Sequence, residues 1–438
     1  MNRGYQKAGV IGLAVLILCV VLGAAIHKKQ NSTGVIKKQE ETVILPVLIS
    51  GGDASWENSV ENTARTFMEK NPDIRVVVKA AVNAESFDYQ QSLNLMEALG
   101  EFQGIVEMRN VELYAGLGKL APLPPELVRL AEHTKTVEGK VYSIPRFYTC
   151  QGVIYNKKIF DRYGLQEPST YEEFLQICKT LKRHGVYPLT AGMGDSWHWD
   201  LFISGLFAND VKKQEPLWID KRNHGQVHWT DEAPMQMLSD IKEIFDSGYV
   251  DHAYKTTTDS QTVERLVEEK AAMLYSGNWM FSQIYKAQPD FDMGWFPLPA
   301  REGDPYLELN GNVEWSITNE YAKDPKSYEA AVRFLTYFYS PENYREVLFE
   351  MNGISALAEK TDNPFLPVQQ KAMKYAAKYG VIQNDAISSG KTPEGFASQM
   401  YLQMTELAEG RSSVQETAEF LDRLWDKKLQ QNKEYKKQ

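Results

Sequence analysis

Residues 271–280 read Ala-Ala-Met-Leu-Tyr-Ser-Gly-Asn-Trp-Met. The apolar run 271–275 is bounded by Glu268, Glu269 and Lys270 on one side and by Ser276-Gly277 on the other. A short apolar run between charged and turn residues predicts a buried strand. Gly277 allows a sharp turn. Met280, Ile284 and Tyr285 then predict a helix, with Asn278 and Trp279 at its start. A strand that hands an amide and an indole to a helix start fits a ligand site at the carboxyl end of an α/β strand. A core role for Trp279 is the competing reading.

Outward from this stretch the same alternation recurs. Residues 43–49 predict a buried strand, followed by the turn Ser50-Gly51-Gly52-Asp53. Residues 57–71 predict a helix with Val60, Ala64, Phe67 and Met68 on one face, and 74–78 a second strand. Strand–helix–strand implies a parallel pair with a right-handed crossover. The turn is no dinucleotide fingerprint, because Gly-x-Gly-x-x-Gly is absent. Residues 92–99 predict a helix and 104–108 a strand that ends near Glu107 and Arg109. These two could line a cleft or pair on the surface. Thr170 and Glu173 form a capping box ahead of Phe174, Ile177, Cys178 and Leu181. Residues 310–315, Asn-Gly-Asn-Val-Glu-Trp, repeat the amide-and-indole chemistry of 277–279.

The chain has 438 residues, 43% apolar and 24% charged, which is enough for two or more globular domains. A net charge of -10 gives no basic field for nucleic acid. With 23 Tyr and 9 Trp, more polar-tipped rings are present than cores need, so some are expected in a cleft. Three cysteines exclude a disulfide framework. His224 and His228 are four apart in a polar stretch, too little for a metal site. Neither a phosphate loop nor a Gly-x-Ser-x-Gly elbow is present, and no cofactor is expected.

Residues 9–26 form an 18-residue apolar run behind Arg3 and Lys7, about 27 Å long as a helix. Two readings stand: a cleaved export signal with Gly23-Ala24-Ala25 as its small-residue site, or an uncleaved membrane anchor. Leu18 precedes Cys19 where a lipid-modified cysteine would need a small residue. Residues 30–42 read as a polar tether.

Several runs carry a family resemblance. They are Glu138-Gly-Lys-Val-Tyr-Ser-Ile-Pro, Val153-Ile-Tyr-Asn-Lys-Lys-Ile-Phe, and Gly164-Leu with Pro168-Ser-Thr-Tyr-Glu-Glu-Phe. Further on come residues 271–279, Gly294-Trp-Phe-Pro-Leu-Pro, Lys323-Asp-Pro with Glu329-Ala-Ala-Val-Arg-Phe-Leu, and Gly353-Ile-Ser-Ala. In this order and spacing, over about 43–428, the chain resembles the extracellular sugar-binding proteins of bacterial ABC transporters, the family 1 solute-binding proteins. The resemblance implies an α/β, periplasmic-binding-protein-like fold: two discontinuous lobes joined by a hinge, with the ligand cleft between them. The lobes are expected at 43–151 with 263–309 and at 152–262 with 310–438, after an N-terminal segment 1–42.

The implied function is capture of a carbohydrate, an oligosaccharide, by hinge closure outside the cell, and delivery to a membrane permease. Membrane attachment would run through the N-terminal segment. Trp279 and Asn278 match the family motif. By strand-end placement and side-chain chemistry, Trp315, Trp197 or Trp199, and Tyr148 would supply stacking faces. Asn312, Glu107, Arg109, Asp53 and Asp200 would supply hydroxyl partners. A sugar sensor acting on a membrane signalling partner is one alternative. A glycoside hydrolase is another; it would need two carboxylates, for which Glu308 with Glu314 or Asp200 are the nominees.

Overall fold

The computed structural model describes residues 42–51, 53–81, 89–311, 313–359, 366–383, 387 and 391–435. The expected N-terminal signal or anchor, and Asn312, lie outside them. Among the described residues no helix is long and apolar enough to cross a membrane.

Two six-stranded sheets organise the chain. The first contains β1 (Val43–Ser50), β2 (Ile74–Ala81), β3 (Ile105–Met108), β4 (Leu120–Ala121), β5 (Ser143–Pro145) and β11 (Glu314–Thr318). Its order is β2-β1-β3-β11-β4, with β5 also on β11. The strands β1, β2 and β3 are parallel, from Val43 opposite Ile74 to Ser50 opposite Ala81. Leu45, Val47, Leu48 and Ile49 are fully buried, because helices cover both faces of a parallel sheet. Helix Ala54–Lys70 packs Trp56, Val60 and Phe67 on one face, together with helices Pro325–Phe338 and Pro341–Met351.

The second sheet contains β6 (Thr149–Asn156), β7 (Tyr187–Thr190), β8 (Ala271–Gly277), β9 (Met293–Phe296), β10 (Leu307–Asn310) and β12 (Gly380–Gln383). Its order is β12-β10-β6-β8-β7, with β9 also on β6. The expected strand and helix around 271–280 are β8 and helix Met280–Ala287. The capping box of Thr170 and Glu173 opens helix Tyr171–Arg183, and Cys178 is buried as a free thiol. Helix His198–Leu206 packs on this sheet, and helices Phe396–Ala408 and Val414–Tyr435 extend the same core.

The expected allotment of segments is corrected by the strand pairing. Residues 263–309 were expected with 43–151, yet β8 and β9 hydrogen-bond to β6 in the second sheet. The strand β11, expected with the other half, lies against β3 in the first sheet. Helices Pro325–Phe338 and Pro341–Met351 pack there too. The physical reason is where the chain crosses between sheets. It passes over after β5 and returns after β10, so the strands β6 to β10 stay in one sheet. A buried strand's composition does not encode which sheet it joins.

Candidate functional site

The carboxyl ends of β1 and β3 build one wall of the cleft. Asp53 follows β1 and caps helix Ala54–Lys70; its Oδ1 accepts from the N–H groups of Ser55 (3.0 Å) and Trp56 (3.2 Å). Burial pushes the Asp53 carboxyl above its ordinary pKa, against the pull of the Trp56 N–H, and Asp259 adds to the push. The cap aims the first helical turn at β3. Trp56 Nε1 donates to Glu107 Oε2 (3.0 Å), and Ser50 donates to the same carboxylate from N (3.1 Å) and Oγ (3.0 Å). Arg146, just past β5, sets a nitrogen 3.1 Å from Glu107 Oε1 and lays its guanidinium 4.2 Å from the Trp56 ring centroid. Burial lowers the Arg146 pKa and Glu107 opposes that shift. Arg109 stacks over Tyr89 at 5.7 Å.

The second sheet supplies the opposite wall. Trp279 follows β8 and stands 6.1 Å, centroid to centroid, from Trp197 at the start of helix His198–Leu206. Both rings are half-buried. Gly277 makes this possible: a Cβ there would fall 1.7 Å from Trp279 Cζ3, so the indole can lie over the strand end only because the position is glycine. His198 is buried and meets Asp259 Oδ1 at 2.8 Å through Nε2, while its Nδ1 accepts from the Gly192 N–H. Between the walls lies a cleft of about 1310 Å³. Thr149, Gln151 and Asn310 line it, as do Tyr401 and Leu402 of helix Phe396–Ala408.

Of the expected site residues, Trp279, Trp197, Asp53, Arg109 and Asp200 line this cleft together. Glu107 is fully buried beneath Trp56 and Arg146, as a support for the wall. The others are placed elsewhere. Trp315 is fully buried on β11, 5.8 Å from Trp56 and 5.5 Å from Phe338. Burying an indole of ~250 Å² at ~25 cal/mol per Å² contributes roughly 6 kcal/mol at most, which is what this position gives it. Trp199 is buried too, donating to Thr405 Oγ1 (3.1 Å) and packed on Phe245. Tyr148 lies under Gly311, where a Cβ would come 2.5 Å from its ring. Asn278 is buried, and its amide joins Cys150 N and Asn352 O.

Arg146 and Tyr401 escaped the sequence reading. Arg146 ends the strand motif 138–145 and could have been found by the strand-end logic that picked Arg109. Tyr401 had no local signal, since its helix reads only as core. Of the carboxylates nominated for hydrolysis, Asp200 lines the cleft, Glu308 faces Lys212 at 3.7 Å, and Glu314 is buried beside Ser143 and Lys135. Among the described residues no cluster of His, Cys, Asp and Glu could hold a metal.

Two α/β sheets with a large aromatic and polar cleft at their strand ends define a ligand-binding protein of the two-lobed type. Residues 49–345 match the family described as bacterial extracellular solute-binding protein, and the chain belongs to it. The multiple sugar-binding protein of Streptococcus mutans is 22% identical over 383 residues, covering 84% of this chain and 88% of that protein. The melibiose/raffinose/stachyose-binding protein of Bacillus subtilis is 24% identical over 350 residues, covering 76% of this chain and 77% of its own length. Among solved structures, a chitin oligosaccharide binding protein superposes with a TM-score of 0.78 at 21% identity, covering 89% of this chain and 99% of that one.

Proposed function

We propose that this chain is the extracellular carbohydrate-binding component of an ABC transporter. It takes an oligosaccharide into the cleft, closes over it and passes it to a membrane permease. The observation that carries the reading is the Trp279–Trp197 pair beside Asp53, Asp200 and Arg109. Indole faces match the apolar C–H face of a sugar ring, and carboxylates and guanidinium match its hydroxyl rim. The volume of about 1310 Å³ favours several linked rings over one. The named sugars of the relatives support the same class of ligand. Closure follows if the sugar contacts both walls and so binds the closed form better than the open one. The apolar run 9–26 would hold the protein at, or deliver it to, the outer face of the cell membrane.

The test is intrinsic tryptophan fluorescence with thermal shift on the full chain in detergent, across mono- and oligosaccharides, with product analysis of each mixture. A sugar should shift both signals and remain uncut, and Trp279→Ala should lose the response while keeping its far-UV spectrum. Silence towards every carbohydrate would remove sugar from the reading, and a cleaved product would replace binding with hydrolysis.

A further inference from the structure

The cleft is lined by more than strand ends. Helix Phe396–Ala408 presents Ser398, Tyr401 and Leu402 to it, at the i, i+3 and i+4 spacing of one helix face. Helix Val414–Tyr435 repeats that spacing with Lys428, Gln431 and Asn432. The other face of each helix is core: Phe396, Met400 and Met404 in the first, Leu421 and Trp425 in the second, all fully buried. The two helices are fastened to each other. The Phe396 and Trp425 rings lie 4.7 Å apart, centroid to centroid, and Gln403 Nε2 donates to Thr417 Oγ1 (3.3 Å). With its amide oriented to suit both neighbours, Asn432 accepts from the Glu394 N–H (2.7 Å) and donates to Lys428 O (3.3 Å). This wall is therefore a fixed surface, and it lies past residue 345, where the family match ends.

It also extends the cleft away from the indole pair. Thr405, one turn beyond Tyr401, accepts from Trp199 Nε1 and does not line the cleft. From Leu402 back to Phe396 the helix runs about 9 Å from that contact, at 1.5 Å per residue. On the first-sheet side, helix Tyr89–Ala98 lines the cleft with Gln91, Asn94 and Ala98, again one helix face. Tyr114 donates to Asn94 Oδ1 (3.0 Å), and Leu113 and Leu117 beside it also line the cleft. The chemistry of these faces is mixed apolar and amide. Leu402 is 61% exposed, and Leu113, Leu117 and Tyr401 are half-buried. The lining charges balance: Lys119 pairs with Glu97 at 2.6 Å, and Lys428 stands with Glu394. Apolar side chains set among amides on a charge-balanced surface suit a neutral sugar ring, with its C–H face and hydroxyl rim.

We propose that the 398–402 and 428–432 helix faces form a distal subsite for the rings of a neutral oligosaccharide beyond its first two. The inference rests on the carbohydrate reading above. The Trp279–Trp197 pair presents two indole faces to the first rings. Tyr401 and Leu402 take the apolar face of a later ring, and Ser398 and Gln431 its hydroxyls. Selection for chain length is thus set by the C-terminal helices, separately from selection for the first sugar.

The test is titration calorimetry on the full chain in detergent. Its probes are the di-, tri- and tetrasaccharides of the malto-, xylo-, chito- and α-galacto-oligosaccharide series. In the series that binds, the tetrasaccharide should bind at least ten-fold more tightly than the disaccharide. Tyr401→Ala should lower that ratio roughly ten-fold, the worth of one ring stacked on an aromatic face. Leu402→Ser, at an exposed position that the fold does not need, should lower it roughly three-fold. Trp279→Ala should weaken both lengths together. A ratio unchanged in both Tyr401→Ala and Leu402→Ser, or a disaccharide bound as tightly as the tetrasaccharide by the unsubstituted protein, would overturn the distal subsite and leave the carbohydrate reading standing. Absence of binding in all four series would overturn the carbohydrate reading and the subsite with it.

Discussion

Glu107→Gln is the perturbation that most directly probes the cleft wall. Glu107 is 0% exposed and takes Ser50 N, Ser50 Oγ and Trp56 Nε1 at 3.0–3.1 Å, with Arg146 at 3.1 Å. Glutamine keeps the shape but presents an NH2 where all the neighbours are donors. One charge-assisted hydrogen bond is lost, worth about 1.5–3 kcal/mol. Arg146 is also left without its counter-charge; breaking a buried pair costs about 3–5 kcal/mol in all. The Arg146 side chain is 13% exposed through the cleft, so water relieves part of this, and about 3 kcal/mol is expected. Urea unfolding should show a midpoint lower by about 1 M at unchanged slope, for a slope near 3 kcal/mol per M. Arg146→Met in the same chain should recover part of the loss, with a coupling of at least ~1.5 kcal/mol, because the double variant buries no orphan charge. A Glu107→Gln midpoint equal to that of the unsubstituted protein, or losses additive within about 0.5 kcal/mol, would refute the view of Glu107 as the buried counter-ion of Arg146.

Two further expectations concern other parts of the molecule. Burial, with Asp240 nearby, pushes the Asp210 carboxyl from 3.8 up to about 7 against the pull of Arg301, so the folded state holds a proton that the unfolded chain releases. This group's contribution to stability therefore falls as pH rises between those values, by at most ~1.4 kcal/mol per pH unit, and levels above about 7. Asp210→Asn should gain on the unsubstituted protein from pH 4 to pH 8 in thermal midpoint; a constant difference would show that Asp210 ionises normally. Gly277→Ala should displace the Trp279 ring, costing about 1–3 kcal/mol of stability by overpacking and weakening sugar binding in calorimetry. Unchanged affinity would mean that the ring is not the ligand face.

The local elements were legible because their signals are local. The run 271–275, the cap at Thr170 and the helix faces of 57–71 and 174–181 each carry their own periodicity or capping chemistry, and each formed as read. Trp279, Trp197, Asp53, Arg109 and Asp200 were also reachable, since strand ends and helix starts in an α/β sheet point towards one edge. The five of them meet in one cleft although up to 226 positions separate Asp53 from Trp279 along the chain.

What the sequence alone determined is the alternation of strand and helix, the family, and the residue types available to a sugar. What only the tertiary structure decided is the side of the sheet each of them faces. Asn278 and Trp279 are adjacent, yet one turns into the seam between the halves and the other into the cleft. Trp315 has the same local chemistry as Trp279 and lies buried against Trp56, because β11 places it under helix Ala54–Lys70. The allotment of β8 and β11 to their sheets was likewise fixed by where the chain crosses over, after β5 and after β10. Burial of an indole or an amide depends on which surfaces close over it, and that is a property of long-range packing rather than of neighbouring residues.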